Sequence, residues 1–274
     1  MVSLLPRIVR CLLALSLALL SSACGGGGGA SGGSGTAAPE PTTPDPPPVA
    51  TPADVAVLMM GNSHTALGDL PRQLRDLLRA GLPGKAVVLE VAPGWMFLEE
   101  RVTDAPTLAL LRSRRWTTVV LQAQKYSSSG QFSYSTAEAE ALIRMTRTAL
   151  ALPVLFPEWP RQGIAETQRI YQLHTGIAQR EPACVPAIGQ AWDLALARHP
   201  GLQLHDPDGN HANEAGAQLA ALMLYASITG QSPRALPTLA GAVDAQTQQR
   251  LRQVAGDTLQ SYPPRQYCPA DALR

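Results

Sequence analysis

Past residue 53 the chain alternates between short apolar runs and longer segments with helical spacing. Residues 54–60 (DVAVLMM) are almost wholly apolar and stop at Gly61, the pattern of a strand buried on both faces. Leu70, Leu74, Leu77 and Leu78 then recur at helical steps, which predicts a helix over 68–80. The alternation continues with a strand at 86–91, helical patterning to about 112 after a Gly-Trp turn, and a strand at 117–122. A polar loop (KYSSSGQFS), a helix at 136–150, a strand at 153–157 and a helix at 163–179 follow. Then come a short strand at 184–188, a helix at 189–198, a loop at 200–212 and a long helix at 213–229. The tail beyond 230 is rich in Pro and Gln, with one helix expected near 243–258.

Such alternation, with near-continuous apolar strands, predicts an α/β fold whose mainly parallel sheet is covered on both faces. In these sheets ligands gather beyond the carboxyl ends of the strands. The first 53 residues have a different character. Arg7 and Arg10 precede an apolar run from Cys11 to Leu20, and small residues lead to Cys24, so residues 1–23 read as an export signal. The run is short for a bilayer span. Residues 24–53 are Gly, Ser, Pro, Thr and Ala with few large apolar side chains, the composition of a tether that cannot bury enough surface to fold. The folded domain is therefore expected at 54–274, tail included.

Composition adds exclusions. The 274 residues are 45% apolar and 16% charged, with a net charge of +1 and no basic or acidic block. Nothing in that balance calls for a nucleic-acid partner. After the signal and Cys24, two cysteines remain, Cys184 and Cys268. An even pair in an exported domain reads as one disulfide.

Ser63 follows the first strand directly and begins the first helix. Alone it would be a helix cap. At a strand's carboxyl end, beside helix amides, it is also placed to be a nucleophile, provided a base and an orienting carboxylate come from elsewhere. The chain has five histidines. His64 neighbours Ser63, and adjacent side chains on a turn diverge. His174 and His199 have no acid three residues before them. His211 follows Asp208 by three residues across an Asp-Gly-Asn turn, a spacing that brings carboxylate and imidazole together. Trp95, Trp159 and Tyr126, near predicted strand ends, read as core or rim packing.

Gly61-Asn62-Ser63-His64 after the first strand, and Asp208-Gly-Asn-His211-Ala-Asn-Glu-Ala-Gly216 before the last long helix, resemble the first and last blocks of the SGNH/GDSL hydrolase superfamily. The resemblance implies a flavodoxin-like three-layer α/β/α sandwich and a serine ester hydrolase with Ser63 as nucleophile, His211 as base and Asp208 as orienting acid. It implies an oxyanion hole of the Ser63 amide, the Gly94 amide and, where the family has Asn, the Gln124 side chain. The chain departs from the family with Asn62 in place of a common Asp, and with Gln122-Ala-Gln124-Lys125 in place of Gly-x-Asn-Asp. Leu20-Ser-Ser-Ala-Cys24 resembles the lipobox of bacterial lipoproteins, which implies an acylated Cys24, a membrane contact through lipid, and a Gram-negative envelope location.

His205, Asp206, Asp208, Asn210 and His211 lie within seven residues, and Asp206-x-Asp208-x-Asn210 imitates the start of a calcium loop. That loop needs Gly at its sixth position and Glu at its twelfth, where this chain has His211 and Ala217. No metal or other cofactor is therefore expected. The expected substrate is an O-acyl ester, with acyl groups on envelope or extracellular glycans the favoured class. The alternative is a catalytically silent lipoprotein that binds a glycan in the same cleft.

Overall fold

The computed structural model describes residues 52–269. The export signal, Cys24, nearly all of the tether and residues 270–274 lie outside the described residues.

Four strands, β1 (Val55–Met60), β2 (Val87–Val91), β3 (Thr118–Gln122) and β4 (Leu152–Phe156), form one parallel sheet in the order β2-β1-β3-β4. The expected α/β class and parallel sheet are found. All six residues of β1 are buried, as are all five of β3 and of β4, which explains the unbroken apolar runs in the sequence. The register aligns Met60 with Leu121 and Gln122 with Phe156, so the carboxyl ends of these strands share one edge.

From β1 the chain steps to β2 in one direction, then crosses back past β1 to β3 and on to β4 in the other. Parallel crossovers are right-handed, so this reversal puts α2 (Leu70–Gly81) on one face and α4 (Ala105–Arg112) and α5 (Ala137–Thr148) on the other. The reversal falls between β1 and β3, where open α/β sheets hold their ligands.

The helical patterning after β2 resolves into two pieces, α3 (Leu98–Arg101) and α4, because Asp104 caps α4 at the Thr107 amide (2.9 Å) and Pro106 follows in its first turn. The strand expected at 184–188 shrinks to a single parallel bridge between Cys184 and Val154. Pro182 and Pro186 flank it and supply no N–H to a ladder.

After α6 (Thr167–Arg180) and α7 (Ile188–Arg198), α8 (Glu214–Thr229) is buried continuously from Gly216 to Thr229 and packs against α2. A Cβ at Gly216 would lie 2.2 Å from the Leu204 carbonyl oxygen and 2.4 Å from Trp192, so only glycine lets α8 approach this closely. The C-terminal helix α9 (Ala245–Ser261) lies over α7 and α8. The Cys184–Cys268 disulfide, buried at both ends, ties the segment after α9 to the chain beside β4.

Candidate active site

The turn after β1 is built around Gln122, the last residue of β3. Its Oε1 accepts from the Asn62 amide (2.8 Å) and the Thr65 hydroxyl (2.9 Å), and its Nε2 donates to Glu158, which follows β4. Asn62 caps the four-residue helix α1 (Ser63–Ala66) by accepting the His64 amide at 3.0 Å. A Cβ on Gly61 would sit 2.1 Å from the Thr65 hydroxyl and 2.2 Å from Gln122 Oε1, so glycine is required there by close approach. Ser63 is thus held at the end of β1, with its side chain free of capping duty.

His211 arrives from a loop closed by a bridge between His205 and Ala212 and by the Asp206 amide donating to the His211 carbonyl (2.8 Å). Gly209, at φ +67°, supplies the left-handed residue of the turn. The segment after β4 braces this loop. Trp159 Nε1 donates to the Asn210 carbonyl (2.9 Å), His205 Nε2 donates to the Pro160 carbonyl (2.8 Å), and the Gln162 amide donates to the Gly209 carbonyl (2.8 Å).

Across 148 positions of sequence, Ser63 Oγ and His211 Nε2 come to 2.9 Å. His211 Nδ1 lies 2.5 Å from Asp208 Oδ2. Asp208 Oδ1 also accepts the amides of Asn210 and His211, each at 2.9 Å. These bonds, the Asn210 amide foremost, hold the Asp208 carboxyl well below the usual carboxylate range. An ionised carboxylate can only accept, so it selects the tautomer with hydrogen on Nδ1 and leaves the Nε2 lone pair facing the Ser63 hydroxyl. The structure therefore brings together the three residues singled out in the sequence.

His64 lies against His211. Its ring is 4.9 Å from that of His211 and 5.2 Å from that of Trp159, which itself stacks on Trp192 at 4.8 Å. Burial, then the neighbouring His211, pushes the His64 imidazole down to about 4, so it stays neutral near pH 7.

Gly94 occupies the turn after β2 at φ +74°. Among the described residues neither its amide nor that of Ser63 has a protein acceptor. The expected third donor is a correction. Gln124 is buried, and its Nε2 donates to the carbonyls of Lys125 (3.0 Å) and Ser135 (2.9 Å). Both amide hydrogens are spent on the loop that follows β3, which leaves none for an oxyanion. Gln122, two residues earlier, is the glutamine at the site, and it works through the Ser63 turn.

Trp159 belongs to the core, whereas Trp95 beside Gly94 is 66% exposed. Two residues missed in the sequence are Glu158 and Arg101. Burial pushes the Glu158 carboxyl up to about 7, so near neutral pH it is poised between neutral and charged under the Ser63 turn. A polar residue directly after an apolar strand was the available signal for Glu158. Arg101, in the charged stretch Leu98-Glu-Glu-Arg101, offered none.

Asp208 is turned onto its own loop amides and His211, and among the described residues no group of three or more His, Cys, Asp or Glu is arranged to hold a metal ion.

No family model matches the chain, and no curated protein matches it. Solved structures do. A provisionally assigned SGNH hydrolase from Slackia heliotrinireducens is similar over 62% of this chain and 97% of its own, at 24% identity and a TM-score of 0.50. A DUF4886 family protein from Bacteroides uniformis covers 77% of this chain and 96% of its own, at 16% identity and a TM-score of 0.61. The psychrotrophic esterase EstA from Pseudoalteromonas sp. covers 64% and 97%, at 17% identity and a TM-score of 0.47. At these identities the likeness is one of fold, and the fold is the parallel α/β architecture found in SGNH hydrolases.

Proposed function

We propose that this chain is a serine hydrolase of O-acyl esters, acting with Ser63, His211 and Asp208 as a triad. The observation that carries this reading is the unbroken chain from Ser63 Oγ through His211 Nε2 and Nδ1 to an Asp208 carboxylate pinned by two loop amides. Ser63 Oγ attacks the ester carbonyl carbon as its proton passes to His211 Nε2. The resulting oxyanion is received by the free amides of Ser63 and Gly94 at the start of α1 and the turn after β2. Collapse breaks the bond to the alcohol, and His211 returns the proton to that leaving oxygen. Water, deprotonated by the same imidazole, then releases the acid from Ser63.

The exposed Trp95 beside Gly94 supports an alcohol portion with a ring or apolar face to lie against, in keeping with O-acyl groups on a glycan. Acylation of Cys24 and an envelope location belong to the same proposal, since a tethered esterase would meet extracellular esters.

Hydrolysis of p-nitrophenyl acetate by the full chain tests the reading. Ser63→Ala and His211→Ala should each abolish nearly all turnover, and the double variant should lose little more, because the two act as a unit. A fluorophosphonate probe should label Ser63. An unlabelled Ser63, or an active Ser63→Ala protein, would remove the reading.

A further inference from the structure

Arg101 is fully buried, yet among the described residues no carboxylate pairs with it. Burying a guanidinium with no directly paired carboxylate is costly, even with Asp104 and Glu100 acting on it at longer range, and an apolar side chain would fill the same space without that cost. Four of its hydrogens go to three backbone carbonyls and a hydroxyl. Nη1 donates to the Pro93 carbonyl (2.7 Å) and Thr107 Oγ1 (2.9 Å), and Nη2 donates to the carbonyls of Gly61 (2.9 Å) and Gly94 (2.6 Å). Thr107 is fixed in turn by Asp104, which accepts both its amide (2.9 Å) and its hydroxyl (2.6 Å).

Those carbonyls are not a random set. A trans peptide is planar, with C=O and N–H pointing opposite ways. Drawing the Pro93 oxygen toward Arg101 aims the Gly94 amide away from it, and drawing in the Gly94 oxygen does the same to the Trp95 amide. Two successive carbonyls can turn toward one guanidinium because Gly94 adopts φ +74°. The two amides are then left together on the far side, a concavity suited to an anion, and among the described residues neither has a protein acceptor. The third carbonyl, Gly61, belongs to the turn that delivers Ser63. Its peptide is gripped on both edges, by Arg101 at the oxygen and by Gln122 at the Asn62 amide. One guanidinium therefore fixes the turn after β1 to the turn after β2, beside the Met96 amide, which donates to the same Gly61 carbonyl (3.2 Å).

We propose that Arg101 is the positioning residue of the oxyanion hole, aiming the Gly94 amide at the charge that forms on the substrate and holding it in register with Ser63. The inference rests on the ester-hydrolase reading above. It deepens that reading by naming what orients the backbone donor of the hole. Because the hole acts on charge present only in the transition state, disturbing Arg101 lowers kcat and leaves KM nearly unchanged. Lysine keeps the charge but cannot bind three carbonyls as a planar fork, so Arg101→Lys is itself a disruptive change.

The test compares wild type, Ser63→Ala, Arg101→Lys and Thr107→Val in the full chain with p-nitrophenyl acetate. Each variant is also titrated with phenylboronic acid, which forms a tetrahedral anionic adduct on a reactive serine, and melted to confirm folding. Arg101→Lys should lower kcat roughly tenfold to a hundredfold, a fraction of what losing a whole donor costs. KM should stay within about twofold, and boronate affinity should fall by the same factor as kcat. Thr107→Val removes one anchor of the guanidinium with little change of shape. It should lower kcat by about threefold to tenfold in the same pattern, and it decides the matter if Arg101→Lys does not fold. A folded Arg101→Lys or Thr107→Val protein with wild-type kcat and boronate affinity would overturn the role of Arg101 and leave the hydrolase reading standing. Wild-type turnover by Ser63→Ala would overturn both.

Discussion

The imidazole of His64 lies 4.9 Å from that of His211, wedged between it and the Trp159 indole. Ser63 and His64 diverge from one turn, as adjacent side chains must, so the serine reaches one edge of the His211 ring while its neighbour packs against the ring itself. His64 is thereby a wall that limits where His211 can swing.

Replacing that wall tests its role. His64→Phe keeps an aromatic ring in the slot and should retain turnover within about threefold. His64→Ala should lower kcat by about tenfold, because a misplaced base loses much of the benefit of orientation. Equal kcat values for the two variants would show that His211 needs no support from this side.

Stability should climb from acid pH and level off near neutrality. His64 and His174 are both held neutral by burial, pushed down to about 4 from an ordinary 6.5. The unfolded chain therefore binds their protons first, and acidification from 6.5 toward 4 destabilises the fold by up to about 1.4 kcal/mol per pH unit for each group. Glu158 works in the opposite sense. Its carboxyl is raised to about 7 from 4.5, so its contribution is full below 4.5 and fades as pH climbs through 7. Two histidines outweigh one glutamate on the acid side, and between about 6.5 and 7.5 the remaining histidine gain and the Glu158 loss nearly cancel. Urea midpoints at pH 4.5, 5.5, 6.5 and 7.5 should rise to 6.5 and then change little, and Glu158→Gln should let the rise continue to 7.5. A midpoint that rises on acidification would contradict the assignment.

Gln122→Ala should cost more stability and turnover than Gln124→Ala. The first leaves the Asn62 amide and the Thr65 hydroxyl without their acceptor, a loss of roughly 2–4 kcal/mol in stability, and lets the Ser63 turn drift. The second frees only the loop carbonyls of Lys125 and Ser135. Side-by-side kcat and chemical denaturation check the order. A hundredfold kcat loss in Gln124→Ala alone would mean that this side chain rotates into the hole when substrate binds.

Reduction should loosen the C-terminal segment. Cys184 and Cys268 close a loop of 84 residues, for which the chain-entropy argument allows roughly 4–5 kcal/mol as an upper figure. Cys268→Ser should lower the melting temperature, and a reductant should do the same to wild type while leaving Cys268→Ser unmoved. Identical melting curves with and without reductant would place the stability of α9 in its packing alone.

The strands were legible because β1, β3 and β4 are buried on both faces and must be apolar throughout. Ser63, Asp208 and His211 were legible because their spacing relative to those strands is fixed by local turns. Gln124 misled for the opposite reason. Residues 122 and 124 point the same way in extended chain, but Ala123 takes φ +74°, which breaks the extended geometry after β3. Arg101 was hidden because a charge in an acidic helical stretch reads as solvated. Only the sheet order, which brings the turns after β1 and β2 side by side, gives its guanidinium carbonyls to hold.

The distance in sequence between Ser63 and His211 has a temporal meaning. The serine belongs to the first strand–helix turn and its base to the threshold of α8, with every crossover of the sheet between them. A chain still emerging, or halted anywhere before residue 211, carries Ser63 as an ordinary alcohol with no imidazole beside it. On the proposed reading, reactivity toward esters is switched on by completion of the fold, and the rate at which a fluorophosphonate captures Ser63 during refolding would serve as a clock for the docking of α8.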